Sequence, residues 1–259
     1  MSDKFTYIDF LMYVVPGSFL SFVILILIWS TAPKTAGAIL KADLFLSMVF
    51  LISSFILGNF LQVRTHLGPE ERLKREFWAG LFPSQAMFFP GNKILNESGR
   101  EDLINACFQK GLLANEDAPL FSIPANYPKE ATDKAQNAFD YMRTYLGDGR
   151  KGERIRGAEG YFLFFRGMFV ASFWSATAFV IVALIYLARL RWPILNNVIG
   201  EIPGLLVGFV VPILGVSFSM ILWRTFRYRC RGAAQGFAKE VARAFCATVF
   251  IENPNKQNI

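Results

Sequence analysis

Four long stretches of the chain contain no charged residue, and each is about as long as a helix that crosses a membrane. They span roughly 20 to 24 residues, and a helix needs about 20 to cross a hydrocarbon layer about 30 Å thick. The stretches run from Phe10 to Pro33, Leu44 to Val63, Gly167 to Ala188 and Ile202 to Trp223. The sequence therefore predicts an all-α integral membrane protein with four transmembrane helices arranged as two hairpins.

The composition agrees with this prediction. Hydrophobic residues make up 53% of the 259 residues, and 27 of them are Phe, which is more than a soluble domain of this size usually carries. The first stretch is preceded by Asp3 and Asp9 against a single Lys4, whereas a cleaved signal peptide begins with a basic segment. We therefore expect the first stretch to be retained as a helix.

The positions of the cations predict the orientation in the membrane. The only cations between the first two stretches are Lys34 and Lys41, and the only cations between the last two are Arg189 and Arg191. The long central segment and the segment after Trp223 are much richer in Arg. Because cytoplasmic loops carry the excess of Lys and Arg, both termini and the central segment are predicted to be cytoplasmic, with the protein in a bacterial inner membrane.

These predictions divide the chain into four parts. Residues 1–63 form the first transmembrane hairpin, and 64–160 form a mostly helical cytoplasmic insert of short helices and loops. Residues 161–223 form the second hairpin, and 224–259 form a basic amphipathic helix and tail. Within the insert, Gly147 to Gly157 is rich in Gly, Arg and Lys, but it lacks the spacing of a phosphate-binding loop and follows a helix. It is predicted to be a flexible basic linker.

Apolar residues beyond the fourth stretch repeat at intervals of three and four until Pro254. This pattern predicts that the fourth helix continues far into the cytoplasm. An apolar stripe must be covered by the insert, by another subunit or by a partner. Phe237, Val241 and Phe245 are accordingly predicted as a stripe that binds a cytoplasmic protein partner.

Four arginines follow the fourth stretch directly, where anionic lipid headgroups attract each cation by about 1 kcal/mol. They are Arg224, Arg227, Arg229 and Arg231. The central segment is nearly balanced, with about 15 basic and 14 acidic residues between Arg64 and Arg166. The net charge of +7 therefore indicates contact with membrane lipids, and no specific nucleic-acid binding is expected.

Small residues recur at helical spacing in the last two stretches, and such residues let membrane helices approach closely. In the fourth stretch they are Gly204, Gly208, Pro212, Gly215 and Ser219, and in the third Gly167, Ala171, Ser175 and Ala178. We predict a helix-packing or oligomer interface, either within one hairpin or between subunits of a homo-oligomer. Pro212 removes a backbone hydrogen bond and is a candidate kink or hinge.

Several functions are disfavoured by what the sequence lacks. Since no Asp, Glu, Lys, Arg or His lies inside the four stretches, ion-coupled or proton-coupled transport is not expected. His66 is the only histidine and belongs to no catalytic motif. The three cysteines show neither metal-ligand nor disulfide spacing. The sequence therefore predicts no catalytic residue, no metal and no cofactor.

Three functions remain open. The first is a non-enzymatic, oligomeric membrane effector or pore-type subunit that is regulated through its insert and tail. The second is a membrane anchor that recruits a cytoplasmic partner, and the third is an integral membrane enzyme acting on lipid. The predicted arrangement, transmembrane helices that carry a cytoplasmic sensing domain, is similar to that of the small multi-pass effectors of bacterial anti-phage systems. The resemblance rests on no sequence motif and assigns no site residue.

Overall fold

The computed structural model describes residues 7–31, 43–63, 69–122, 127–147, 149–192 and 204–252, and every element in these ranges is helical. The chain divides into two compact units. The membrane unit comprises Met1–Pro69 and Leu163–Cys230, and the module comprises Glu70–Phe162 and Arg231–Ile259. Each unit is therefore built from two separate segments of the chain.

The helices are as follows. Tyr7–Asp9 and the π-helical turn Phe10–Val14 lead into α1 (Val15–Thr31), which is followed by α2 (Asp43–Val63). The central segment contains α3 (Pro69–Trp78), α4 (Pro83–Ala86), α5 (Glu97–Gln109), the 3₁₀ helix Asn115–Phe121 and α6 (Lys129–Tyr145). Then come α7 (Gly149–Arg191) and, after the π-helical turn Leu206–Val210, α8 (Val211–Glu252).

Three helical segments are long and apolar enough to cross a membrane: Phe10–Trp29, Gly152–Arg191 and Leu206–Glu252. The second predicted crossing forms α2, whose apolar part Ser47–Gln62 is shorter. The prediction of an all-α protein with apolar helices of membrane length is therefore confirmed for the described residues. Four crossings and a cytoplasmic insert stay predictions.

The predicted linker at Gly147 to Gly157 is wrong from Gly149 onward, because these residues begin α7. This helix has 43 residues and a length of about 65 Å, roughly twice the thickness of the hydrocarbon layer. Its first turns are stabilised by the burial of Ile155 and by an ion pair of 2.9 Å between Arg154 and Glu240. These tertiary contacts outweigh the low helix propensity of glycine.

The fourth predicted helix does continue far beyond Trp223, as the apolar spacing of the sequence predicts. α8 extends without a break to Glu252, so neither Gly232 nor Gly236 ends or interrupts it. Both glycines have no neighbouring atom within 4 Å of the position that a Cβ would occupy. They are therefore accommodated in an ordinary helix and do not mark a close approach.

In the membrane unit, α1 and the turn before it pack antiparallel to α2 with their backbones in contact. A Cβ atom on Gly17 would lie 1.7 Å from the carbonyl oxygen of Ser54, and one on Gly58 would lie 1.8 Å from that of Tyr13. Only glycine fits at these two positions. Ser54 also donates a hydrogen bond of 3.4 Å to Ser21.

The core of the module is formed by the central segment together with the last part of α8. Ala131, Ala135 and Met142 on one face of α6 are fully buried, and so are Leu103 and Cys107 on α5. The remaining large buried side chains of this core include Phe88, Phe89, Phe121, Val241, Phe245 and Val249. The insert and the tail are thus parts of one hydrophobic core.

Candidate functional site

The last part of α7 packs against the π-helical turn Leu206–Val210 and the first part of α8 through aromatic rings that lie on glycines. A Cβ on Gly208 would lie 2.2 Å from the ring of Tyr186, and one on Gly215 would lie 2.7 Å from the ring of Phe179. Farther along, the rings of Phe169 and Trp223 stack with their centroids 5.9 Å apart. Because the residue numbers run in opposite directions, the two helices are antiparallel.

The predicted small-residue positions do not form one interface, because some lie between α7 and α8 and Gly167 lies between α7 and the first two helices. Gly208 and Gly215 meet α7, but Gly167 lies against Pro16 and against Gln62, whose Nε2 is 3.0 Å from the Cβ position. Gly204 is exposed and has no neighbour within 4 Å. Of the remaining positions, Ala178 is half-buried and the buried ones are Ala171, Ser175, Pro212 and Ser219.

Gln62 connects three helical segments of the membrane unit. Its Nε2 donates a hydrogen bond of 2.8 Å to the carbonyl oxygen of Leu163 on α7 and one of 3.2 Å to that of Met12. In an apolar environment, such side-chain to backbone bonds satisfy polar groups that water cannot reach. Gln62 therefore fixes the position of α2 relative to its two neighbours.

A π-helical turn precedes each proline of the membrane helices by the same distance. The turn Phe10–Val14 ends two residues before Pro16, and Leu206–Val210 ends two residues before Pro212. In the second turn, the N–H of Val211 donates to the carbonyl oxygen of Leu206. Since proline cannot donate and its ring crowds the preceding turn, the wider turn accommodates it. Pro212 thus lies where α8 departs from regular geometry.

The four arginines predicted to contact anionic lipid are not equivalent. Arg224 and Arg229 are exposed, and the guanidinium of Arg227 lies 5.6 Å from the ring centroid of Trp223. Arg231 belongs to the module, where its guanidinium lies 4.7 Å from the ring centroid of Phe77 on α3. The cluster therefore separates into three residues of the membrane unit and one of the module.

The predicted partner-binding stripe lies inside the module in this structure. Phe237 is only 8% exposed, Val241 and Phe245 are 0% exposed, and all three belong to the core of the module. The ring of Phe237 meets that of Phe139 at a centroid distance of 5.7 Å. The insert of the same chain therefore covers the stripe, so it presents no surface to a partner in this structure.

Polar contacts hold the end of α8 in the module. Glu252 accepts a hydrogen bond of 2.6 Å from the hydroxyl of Tyr145 and forms an ion pair of 2.5 Å with Lys110. The hydrogen bonds to Glu252 and Tyr145 raise the pKa of Lys110 above its ordinary value. Glu252 thereby joins α8 to the C-cap residue of α5 and to the last residue of α6.

Two cavities lie beside α8 in the module. Their volumes are about 460 Å³ and 490 Å³, and both are lined by Ile94. Arg231 and Gln235 line the first cavity, and Lys239 and Arg243 line the second. These four residues recur at intervals of four, which places them along one face of α8 over about 18 Å. We refer to the two cavities with this face as the basic groove.

The side chains of the basic groove have few internal partners. Lys93, at the first cavity, and Lys239 and Arg243, at the second, have no side-chain hydrogen bond or ion pair among the described residues. The guanidinium of Arg231 contacts the face of Phe77, which leaves its hydrogen-bonding edge available. Each cavity also has one carboxylate, that of Glu76 in the first and that of Asp102 in the second. The groove therefore has a net positive charge.

The first cavity also has an aromatic wall. Phe77, Trp78 and Tyr127 line it. The indole N–H of Trp78 is buried and has no hydrogen-bond partner among the described residues. Ala79, which follows Trp78, adopts a left-handed φ of 52°, a strained conformation for a residue with a side chain.

Burial makes the thiols of Cys107 and Cys246 poor nucleophiles. None of the three cysteines forms a disulfide in the part of the chain that the structure describes, and burial raises the pKa of Cys107 far above its ordinary value and that of Cys246 to about 12. The described residues contain no group of His, Cys, Asp and Glu side chains suited to holding a metal ion. His66 lies outside the described residues.

Some contacts were not predicted although the sequence contains a signal for them. Gly17 and Ser21, like Ser54 and Gly58, are small residues four positions apart, the same spacing that pointed to Gly204 and Gly208. No comparable sequence signal exists for the π-helical turns, for the rings on Gly208 and Gly215, or for the basic groove. These features depend on which helix faces meet in three dimensions.

Comparison with known proteins adds no assignment, because no protein family model, curated protein or solved structure matches the chain.

Proposed function

We propose that this protein is a non-enzymatic membrane effector, a pore-type subunit of a homo-oligomer, whose helical module regulates its membrane helices. The observation that carries this proposal is the composition of the module's core. It contains residues of the insert and the last part of α8, the helix whose first part forms a proposed crossing. Any ligand that changes the packing of the insert therefore acts directly on a membrane helix.

The proposal includes the topology predicted from charge. Two hairpins give four crossings, with α2 as the second, and the module and both termini lie in the bacterial cytoplasm. Supporting this, α7 and α8 each combine an uncharged segment with a charged segment that belongs to the module. Anionic headgroups are met by Arg224, Arg227 and Arg229, and the predicted role of Arg231 in lipid contact becomes secondary to its place in the basic groove.

The exposed face of α8 supports an oligomer. Leu206, Leu214 and Ile221 are each more than 60% exposed, and Gly204 adds a small residue at an exposed position. In a single chain this face meets lipid, and in an oligomer it meets other copies through close packing at Gly204. An anchor that recruits a partner through Phe237, Val241 and Phe245 is less well supported, because those side chains are buried.

The test is membrane permeability in bacteria that overproduce the protein. The unmodified chain is expected to depolarise the membrane, measured with a potential-sensitive dye. Gly208→Leu should reduce this effect strongly, since its side chain would clash with Tyr186. Gly204→Leu is the matched control for packing within the chain, and Pro212→Ala tests the irregular turn.

The two glycine variants also distinguish packing between subunits from packing within one chain. If Gly204→Leu reduces depolarisation while the monomer stays folded, the exposed face functions between subunits. If Gly204→Leu is silent, α8 acts within one chain. A membrane potential that is unchanged by the unmodified protein at high abundance contradicts the effector function.

A further inference from the structure

We propose that the basic groove binds a phosphate ester carrying at least two phosphate groups. This inference rests on the proposed function, since it names the chemical class of the ligand that would regulate the module. The shared chemistry has two sources: a soluble nucleoside polyphosphate, or the headgroup of a doubly charged phospholipid such as cardiolipin. The experiment below distinguishes them.

The first argument is that cations lining the groove have no ion-pair partner within the described part of the module. Several cations elsewhere in the module are paired with carboxylates, as Arg143 is with Glu159 at 2.9 Å and Lys134 with Asp117 at 2.6 Å. In the groove, Lys239 and Arg243 line a cavity with Asp102 and form no ion pair with it. Cations that face a cavity and have no internal partner are suited to an anion from outside.

The second argument is spacing. Arg231 and Lys239 are eight residues apart on α8, which corresponds to about 12 Å along the helix, and Gln235 lies between them. A single phosphate cannot reach both cations at once. A ligand with two or more phosphates can bind both, with the amide of Gln235 donating to an oxygen between them.

The third argument is the aromatic wall at one end. Phe77, Trp78 and Tyr127 line the first cavity, and their rings provide an apolar surface suited to packing against a nucleoside base. The face of Phe77 holds the guanidinium of Arg231, which orients the charge before any ligand arrives. The cavity volume of about 460 Å³ lies within the range of about 300–1,000 Å³ typical of small-molecule sites.

The test uses the purified full-length chain. Binding of ATP and of inorganic pyrophosphate is measured by calorimetry in detergent, and binding of cardiolipin by the rise in melting temperature in phosphatidylcholine nanodiscs that contain it. The double variant Lys239→Gln, Arg243→Gln removes two cations of the groove that have no internal partner, so the module should fold normally. Loss of their contacts should weaken binding at least about tenfold.

The matched control is Lys129→Gln, Arg156→Gln, which removes two exposed cations of the module that do not line the groove. If ATP or pyrophosphate binds and only the groove variant weakens it, the ligand is a soluble polyphosphate. If only cardiolipin binds with the same dependence on the groove, the ligand is a headgroup. Absence of binding by all three probes, or equal weakening by both double variants, overturns the inference.

Binding and membrane permeability are read independently, so the two proposals can fail separately. Groove-dependent binding without depolarisation would remove the effector function and keep the site. Depolarisation that occurs without any binding of the three probes would keep the effector function and remove the site.

Discussion

The positions at which only glycine fits are the most constrained residues of the membrane unit. At Gly58, a Cβ would penetrate the carbonyl group of Tyr13, which belongs to the backbone of the opposite helix and cannot rotate away. Whole helices would have to separate to make room for it. Single atoms thus determine how closely α2 approaches the first helix.

Gly58→Ala is expected to destabilise the membrane unit by about 1–3 kcal/mol, because the added methyl group overpacks a backbone contact. The measurement is unfolding of the protein in detergent by heat or by sodium dodecyl sulfate. Gly236→Ala is the control, since its Cβ position has no neighbour within 4 Å and alanine is the better helix former. Equal stability of the two variants would show that the backbones are not in contact.

The ion pair between Asp117 and Lys134 predicts a pH dependence of module stability. The hydrogen bond from Lys134 holds the pKa of Asp117 below its ordinary value of 3.8, and the same bond raises the pKa of Lys134 to about 12. A lowered carboxyl pKa stabilises the folded state above the unfolded-state value, and this stabilisation is lost as the pH falls through the folded-state value.

Asp117→Asn should therefore reduce stability at neutral pH, and its difference from the unmodified chain should shrink as the pH falls below about 3.8. Urea titrations between pH 3 and pH 7 measure this. Asp133→Asn, an exposed position on α6, is the control. A difference that is constant over the whole range would contradict the role of the Asp117 charge.

Among the helices, α8 has the most varied surroundings, since one face is buried in the module core and another lines the basic groove. Phe245 in this helix is 0% exposed and meets the ring of Tyr145 at a centroid distance of 6.0 Å. The hydrophobic effect, not helix propensity, keeps this part of the helix in place.

Phe245→Ala should destabilise the module by about 3–5 kcal/mol, because it leaves a cavity in the core. Ile251→Ala, on the same helix but 74% exposed, should change stability by less than about 0.5 kcal/mol. Chemical denaturation followed by tyrosine and tryptophan fluorescence measures both. If Phe245→Ala were neutral, the tail would not be part of the core.

The helices themselves could be predicted from the sequence because local patterns determine them. Uncharged runs identified the membrane-length helices, and apolar spacing from Phe237 to Val249 identified the continuation of α8. The partner of that apolar face could not be chosen, since the same spacing suits a core and an interface. The linker prediction failed from Gly149 onward because Ile155, near the start of α7, is buried in the module core, and this core joins residues far apart in sequence.

At the scale of the whole molecule, the module is formed from segments on both sides of the second predicted hairpin. Residues 70–162 provide most of the buried side chains of the module core, and α8 provides the others, including Val241, Phe245 and Val249. The insert lacks a complete core of its own. The stability of the module therefore depends on both segments.

A fragment of residues 70–162 is expected to be poorly folded by circular dichroism and to expose apolar surface. Addition of a peptide of residues 231–252 should restore helical structure, because it supplies Val241, Phe245 and Val249. A peptide with Phe245→Asp is the control and should not restore it. A fragment that folds fully without the peptide would show that the tail is dispensable.

The two-segment module also has a consequence for synthesis. The ribosome completes Phe162 well before it reaches Val249, and at about 5–20 residues per second the interval lasts roughly 4–17 s. Throughout this time the nascent insert lacks the part of α8 that completes its core. The module therefore folds fully only after the end of α8 has been synthesised, so the order of synthesis delays its folding.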